Sequence, residues 1–172
     1  DWRMLAAVIY TESKFAINVT SGAGARGLMQ IMPLTVRVYN VQDVLNPEEN
    51  IRAGASYLGR LDRLFRKYAS GDERLRYVFA SYNAGETRVL RYLNGTPEDE
   101  VSDSALNADI DSAAVEGLRA DIDSASVAGP PATKSPDPSE PAPASHEINT
   151  SVTAYVDKIF ENYRNFCRIC GK

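Results

Sequence analysis

Residues 46–68 read NPEENIRAGASYLGRLDRLFRKY, and this stretch carries the clearest helix signal in the chain. Asn46 can cap the helix, Pro47 fits its first turn, and Glu49 stands where the acid of a capping box belongs. Apolar side chains then recur at helical spacing on one face for about five turns, at Ile51, Ala55, Leu58, Leu61, Phe65 and Tyr68. The pattern predicts a long amphipathic helix.

Helical spacing also governs the sequence on both sides of this stretch. A first helix is predicted to place Leu5, Ile9 and Glu12 on one face. Further helices are predicted from about Pro33, through 75–82, through 89–93, and over 151–167. No useful length alternates with a period of two. We therefore predict an all-α fold with no sheet larger than a hairpin.

Residues 94–150 have a different composition. Seven of the nine prolines fall between Pro97 and Pro143, and the segment carries a net charge of −10, whereas residues 1–93 carry +4. Such a segment has too little apolar surface to offset the entropy lost on ordering. We predict a solvated, mobile insertion with one marginal helix near 104–119. It would interrupt a single domain spanning 1–172, which the helix at 151–167 completes.

Several classes of site and location are disfavoured by what the sequence contains. The sequence contains no run of 18 apolar residues, so no membrane span is predicted. No basic-then-apolar leader opens the chain, so we expect any export signal to have been removed or to lie outside this sequence. Cys167 and Cys170 form a lone C-x-x-C without a second pair or a nearby histidine. Free thiols or a local disulfide are favoured there over a metal site.

Glu12 is the first candidate for chemistry. A carboxyl group on the apolar face of a helix is desolvated, which raises its pKa, and a glutamic acid that stays protonated near neutral pH can serve as a general acid. By position alone, the competing interpretation is an ordinary surface glutamate that pairs with Lys14 or Arg26. The residues around it are needed to decide.

Four blocks of sequence follow one another in a fixed order. They read ESKF at 12–15, SGAGARGLMQIMP at 21–33, NIRAGASYL at 50–58 and ASYNAG at 80–85. In order and spacing they resemble the lysozyme-like catalytic domain of the soluble-type lytic transglycosylases, and the stretch 1–90 looks most similar to the membrane-bound F-type branch. The resemblance covers about half of the chain, and four blocks in register make it specific.

The resemblance implies a reaction with one essential acid. In that family the glutamate matching Glu12 protonates the glycosidic oxygen between N-acetylmuramic acid and N-acetylglucosamine. It then acts as a base while the sugar's own 6-hydroxyl closes a 1,6-anhydro ring. Ordinary glycosidases need two carboxylates, and no second acid stands out within the four blocks. Asp43, Glu48 and Glu49 are better explained as acids at a helix start.

The resemblance also implies partners and a location. Neither a metal nor an organic cofactor is expected. The expected partner is the peptidoglycan glycan strand, not nucleic acid, and the expected state is a monomer. The expected location is the periplasm or cell envelope, with any outer-membrane association provided by regions outside this chain.

Six residues are candidates for substrate binding. Gln30 offers a donor and an acceptor to sugar hydroxyl or N-acetyl groups. Met29 offers an apolar wall or packs in the core, and the residues leave both readings open. Tyr82 and Asn83 stand where the fourth helix breaks at Ala84-Gly85. The candidates are Ser21, Met29, Gln30, Tyr82, Asn83 and Tyr155.

Tyr155 belongs to the C-terminal block, where the sequence departs from the family. The family commonly has E-T-x-x-Y-V, and residues 151–156 read SVTAYV, so the acid–threonine pair is absent. The family tyrosine would hydrogen-bond the catalytic glutamate, and Tyr155 is expected to do the same. The alternative is a tyrosine that only packs in the core.

Three other functions stay open at this point. A goose-type lysozyme-like hydrolase would use the same fold and a positioned water. An inactive peptidoglycan-binding module would keep the fold without the chemistry, although the intact Glu12 and GLMQ sequence argue against decay. An assembly factor could use the acidic insertion to recruit a partner, and that role could coexist with catalysis.

Overall fold

The computed structural model describes residues 1–95 and 150–171, and these form six α-helices. The helices are α1 (Trp2–Ser13), α2 (Pro33–Val38), α3 (Pro47–Phe65), α4 (Gly71–Ala84), α5 (Glu86–Leu93) and α6 (Thr150–Cys170). In these two ranges the only β pairing is the isolated bridges Thr20–Arg26 and Arg26–Ile31. The predicted all-α class is confirmed. The predicted insertion, apart from its first two residues and its last, and its marginal helix near 104–119 lie outside the described residues.

The start of α3 follows the sequence signal in part. The side-chain oxygen of Asn46 accepts hydrogen bonds from the backbone N–H groups of Glu48, at 3.0 Å, and Glu49, at 3.1 Å. Glu49 does not complete the capping box expected of it. Its carboxylate accepts instead from the backbone N–H groups of Gln42, at 2.7 Å, and Asp43, at 3.2 Å. The acid thus ties the helix to the preceding turn.

The core forms where α6 packs against α1 and α4, and where α4 packs against α3 and α5. Helix α1 buries Ala7, Val8 and Ile9, and α6 buries Val152, Val156 and Ile159. The side-chain amide of Asn162 donates to the hydroxyl of Thr11 at 3.0 Å inside this contact. Helix α6 thus packs on the helices of the first described range and contributes its own apolar face to the core.

The two ends of the described chain meet at one corner. The Tyr163 hydroxyl donates to the Asp1 carboxylate at 3.0 Å, and the Arg3 guanidinium donates to the carbonyl of Gly171 at 2.7 Å. Both thiols near this end, Cys167 and Cys170, are free. Across the described helices, none is both long and apolar enough to cross a membrane.

Candidate active site

A buried asparagine joins the second sequence block to the third. The side-chain oxygen of Asn50 accepts from the backbone N–H of Met29 at 2.8 Å. Its amide nitrogen donates to the carbonyls of Arg26, at 3.0 Å, and Val44, at 2.8 Å. The contacts with Met29 and Val44 are buried, and an unpaired polar atom in the interior is costly. Asn50 therefore fixes the loop 26–30 against α3.

This interlock between loop 26–30 and α3 is sterically possible because two of its positions are glycines. Gly27 has a φ of +79°, and a Cβ there would lie 2.2 Å from the Asn50 amide nitrogen and 2.8 Å from the carbonyl oxygen of Val44. A Cβ on Gly54 would lie 2.5 Å from the Met29 sulfur. At these two positions the missing side chain leaves room for Asn50 and Met29.

Met29 is fully buried. The sequence left two interpretations of Met29 open, and packing in the core is the one that the structure supports. The Met29 side chain therefore forms no wall of a cleft. Met32 is the methionine that stands exposed, at 41%. It occupies the N-cap position of α2 without a side-chain capping bond. The sequence analysis did not single it out, although an apolar residue at a position that favours Ser, Thr, Asp or Asn was a usable signal.

Gln30 is held in one orientation. Its side-chain nitrogen donates to the carbonyls of Val19, at 3.1 Å, and Gly27, at 2.9 Å. Both partners are acceptors, so the nitrogen of the amide must face them. The two donors are therefore occupied, and the expectation that Gln30 offers a donor to sugars is wrong. Only its carbonyl oxygen is left for a ligand.

Ser21 supports the loop that leads to Gln30. Its hydroxyl oxygen accepts from the backbone N–H of Ala25 at 3.0 Å, and the Ser21 backbone N–H donates to the Ala25 carbonyl at 2.9 Å. The Ser21 side chain is partly exposed. Its hydroxyl proton is not used by the Ala25 contact and can be donated elsewhere.

Glu12 lies in the last turn of α1 and is half-buried. The Tyr155 hydroxyl donates a hydrogen bond to Oε1 of Glu12, which confirms the contact expected from the resemblance. Burial raises the pKa of Glu12, and the hydrogen bond from Tyr155 opposes this in part. Lys14 lies over the ring of Tyr10, at 4.4 Å from its centroid, and forms no ion pair with Glu12. The surface-glutamate interpretation does not describe this residue.

Tyr82 completes the group around Glu12. Its hydroxyl donates to the Met29 carbonyl at 2.8 Å. Burial, and after it the nearby Glu12 carboxylate, raises the pKa values of both Tyr82 and Tyr155. Three elements, α1, α4 and α6, thus bring one acid and two neutral phenols together. Asn83 is exposed near the end of α4.

The other acids that could act in the reaction are engaged elsewhere. Asp43 is exposed, and its carboxylate accepts from the backbone N–H of Leu45 at 3.0 Å. Glu86 forms an ion pair with Arg60. Within residues 1–95 and 150–171, neither carboxylate is bonded to Glu12 or Tyr155, and no cluster of His, Cys, Asp and Glu could hold a metal ion.

The sequence is similar to those of known proteins. The family model described as the transglycosylase SLT domain matches residues 1–104. The chain is 38% identical over 104 residues to the membrane-bound lytic murein transglycosylase F of Yersinia pseudotuberculosis, covering 57% of this chain and 21% of that protein. It is 38% identical over 90 residues to the protein of the same name from Pectobacterium atrosepticum, covering 52% and 19%. The chain spans only about a fifth of the length of these relatives.

Two solved structures share the fold. One is the 70 kDa soluble lytic transglycosylase of Escherichia coli, with a TM-score of 0.59 and 24% identity, covering 100% of this chain and 22% of that one. The other is an inactive mutant of the lytic transglycosylase Slt of Pseudomonas aeruginosa, with a TM-score of 0.58 and 20% identity, covering 99% and 22%. The predicted lysozyme-like fold is confirmed. Since the matching family model spans more than half of the sequence, the chain belongs to the transglycosylase SLT domain family.

Proposed function

We propose that this chain is the catalytic domain of a lytic transglycosylase that cleaves the β-1,4 bond between N-acetylmuramic acid and N-acetylglucosamine in peptidoglycan. The observation that carries the proposal is the state of Glu12. Its carboxyl group is half-buried, its pKa is raised by that burial, and a tyrosine holds one of its two oxygens. A carboxylic acid that keeps its proton near neutral pH can donate it to a glycosidic oxygen.

The hydrogen bond from Tyr155 also determines which oxygen of Glu12 carries the acid proton. Tyr155 donates to Oε1, so Oε1 acts as an acceptor and the acid proton belongs on Oε2. When Glu12 gives up that proton, the same hydrogen bond stabilises the carboxylate. Tyr155 would therefore act both before and after the transfer, by orienting the acid and then by supporting its charge.

A single carboxylate is sufficient if the substrate supplies its own nucleophile. Glu12 would protonate the leaving oxygen, and the N-acetyl group of the substrate would assist the electron-poor anomeric carbon. Glu12 would then take the proton of the 6-hydroxyl as that oxygen closes the 1,6-anhydro ring. The hydroxyl proton replaces the one donated, so Glu12 ends the cycle protonated. No water is consumed.

The remaining candidate side chains suggest how a glycan would be held. The free carbonyl oxygen of Gln30 would accept from an N–H or hydroxyl group of the sugar. Ser21 can donate its hydroxyl proton, and Asn83 is exposed and offers an amide. The exposed side chain of Met32 would provide the apolar wall that Met29 cannot.

The cell envelope is the location that this function requires, because peptidoglycan is found there. We propose that the partner is the glycan strand, that the domain acts as a monomer, and that any attachment to a membrane is made by regions outside this chain. The named relatives are described as membrane-bound.

The function is tested by incubating the chain with purified sacculi and analysing the released muropeptides by mass spectrometry. The expected products end in a 1,6-anhydro sugar and are lighter by one water than hydrolytic products. Reducing-end products would instead identify a goose-type hydrolase. Binding to sacculi without release would identify an inactive binding module.

The Tyr155→Phe variant should change the pH dependence of this reaction. The first step needs protonated Glu12, so activity falls as pH rises through the pKa of Glu12. The hydrogen bond from Tyr155 lowers that pKa, so its loss should move the alkaline limb to higher pH. A hydrogen bond to a charged group is worth about 1.5–3 kcal/mol. We therefore expect kcat at the optimum to fall roughly ten- to a hundredfold.

Tyr163→Phe is the matched control, because it removes a hydroxyl from the same helix at its far end from Glu12. It should leave the alkaline limb and kcat as in the wild type. If the alkaline limb of the pH profile did not move in Tyr155→Phe, the Tyr155 hydroxyl would not affect the pKa of Glu12.

A further inference from the structure

An ion pair between α3 and α5 lies apart from Glu12 and is mostly buried. The Arg60 guanidinium is bonded to the Glu86 carboxylate, and the two side chains are 17% and 29% exposed. By contrast, Arg66 pairs with Asp62 on the outer face of α3 and is 63% exposed. Burying two charges costs desolvation energy that the pair recovers only with good geometry. The pair of Arg60 and Glu86 is therefore not explained by favourable contact with solvent.

Arg60 also contacts an aromatic ring that leads toward the site. Its guanidinium carbon lies 5.4 Å from the centroid of the Tyr57 ring, and Tyr57 in turn lies 5.5 Å from Tyr82, centroid to centroid. Burial, followed by the Glu86 charge, raises the pKa of Tyr57 to about 12, so its phenol stays neutral. A guanidinium can lie over a ring and pair with a carboxylate at the same time, because it is planar and has several donors.

The line of contacts ends at the candidate active site. Tyr82 donates to the Met29 carbonyl at 2.8 Å, and the next residue, Gln30, presents its carbonyl oxygen for a ligand. Tyr82 is also close enough to Glu12 for the carboxylate to act on its titration. Glu86 itself begins α5 directly after Gly85, which has a φ of +89°. Pairing with Arg60 therefore fixes the break that follows Tyr82.

We propose that Arg60 and Glu86 are positioning residues for the transglycosylase reaction. Through Tyr57 they hold Tyr82, and with it the loop that bears Gln30, in place beside Glu12. Neither residue touches the reacting atoms. The inference rests on the proposed function, since it assigns these residues a part in the same reaction.

Two variants of the full chain separate positioning from simple stability. Arg60→Met removes the guanidinium and leaves the Glu86 carboxylate largely buried without its partner, so both Tm and kcat should fall. Arg60→Met combined with Glu86→Met removes the unpaired charge, so Tm should recover. If the pair positions Tyr82, kcat on sacculi should stay roughly ten- to a hundredfold below the wild type in the double variant. KM should change far less, as expected for contacts that matter in the transition state.

Arg66→Met is the control, because it removes an exposed arginine at the C-terminal cap of the same helix. Its partner Asp62 keeps a second arginine, Arg74, at 2.8 Å. Wild-type Tm, kcat and KM are expected for this variant. Recovery of kcat together with Tm in the double variant would overturn the inference and leave Arg60 and Glu86 a purely structural role. A wild-type chain that releases no muropeptides would instead overturn the proposed function and the inference with it.

Discussion

Replacing Glu12 by glutamine should abolish turnover of sacculi while preserving the fold. The amide has the size of the acid and can still accept the hydrogen bond from Tyr155 through its carbonyl oxygen. It cannot donate a proton to the glycosidic oxygen and later recover one. General acid–base catalysis contributes roughly 10²–10⁴ in rate, and one group that serves both steps should lie at or above the upper end. Release of muropeptides, followed by mass spectrometry, measures the loss.

The same variant has an expected effect on stability, and its sign follows from the pKa. Burial makes the folded-state pKa of Glu12 higher than that of the unfolded chain. The acid therefore favours folding most below its unfolded pKa, and this contribution is lost as pH rises through the folded pKa. Each pH unit between the two pKa values is worth about 1.4 kcal/mol. Glu12→Gln should accordingly be more stable than the wild type at pH 7, and the difference should shrink in acid.

Two results would contradict this account of Glu12. Near-normal turnover by Glu12→Gln would remove it from the reaction. If Glu12→Gln lost cooperative unfolding as well as turnover, the role of Glu12 would be structural. A useful control is Glu161→Gln, because Glu161 is an exposed acid on α6 that pairs with Lys158 at the surface. It should leave activity unchanged, and because Lys158 lowers the pKa of Glu161, its replacement should not stabilise the chain at pH 7 as Glu12→Gln does.

Gly27→Ala should strongly destabilise the fold. The new Cβ would lie 2.2 Å from the Asn50 amide and 2.8 Å from the carbonyl oxygen of Val44, which is backbone and cannot rotate away. The φ of +79° is itself unfavourable for alanine. Adding the steric cost to the weakened hydrogen bonds of Asn50 gives a loss of roughly 3–5 kcal/mol in the free energy of unfolding. Chemical denaturation with unchanged buffer conditions measures it.

Gly22→Ala is the matched control in the same block. A Cβ at Gly22 would have no atom within 4 Å, and its φ is not positive. It should change stability by no more than about 0.5 kcal/mol. If both variants unfolded at the same denaturant concentration, the interlock between loop 26–30 and α3 would not be a major source of stability.

The helices could be predicted because each carries its own signal. Ile51, Leu58 and Phe65 recur at helical spacing, and Asn46 can be recognised as a cap from its neighbours alone. The hydrogen bonds of Glu49 could not be predicted in this way. Its carboxylate had two sets of backbone N–H groups within reach, and the preceding turn decided between them. Local sequence does not contain that choice.

The site was harder to predict than the fold, for a physical reason. Whether Met29 faces a ligand or the core depends on Gly54, a residue 25 positions away that leaves room for its sulfur. The donors of Gln30 are occupied by carbonyls that only the folded loop brings near. Periodicity records which face of a helix is apolar, but residues 26–30 belong to no helix. Their orientations follow from tertiary contacts.

The contact between Tyr155 and Glu12 was expected only through resemblance to a family. The two residues are 143 positions apart, and no rule of spacing links them. Arg60 and Glu86 show the opposite situation, because no motif contains both and only the structure reveals their pairing. This ion pair also explains why Glu86 is not available as a second catalytic carboxylate.

The corner formed by Asp1, Arg3, Tyr163 and Gly171 has a consequence for how the domain can be attached to other proteins. A unit whose two ends share one corner can be joined to a neighbour at a single point, or inserted into a host loop, without stretching either connection. Glu12 lies at the opposite end of α1, about 16 Å away, given a rise of about 1.5 Å per residue. A tether at the corner would therefore leave the surroundings of Glu12 unobstructed.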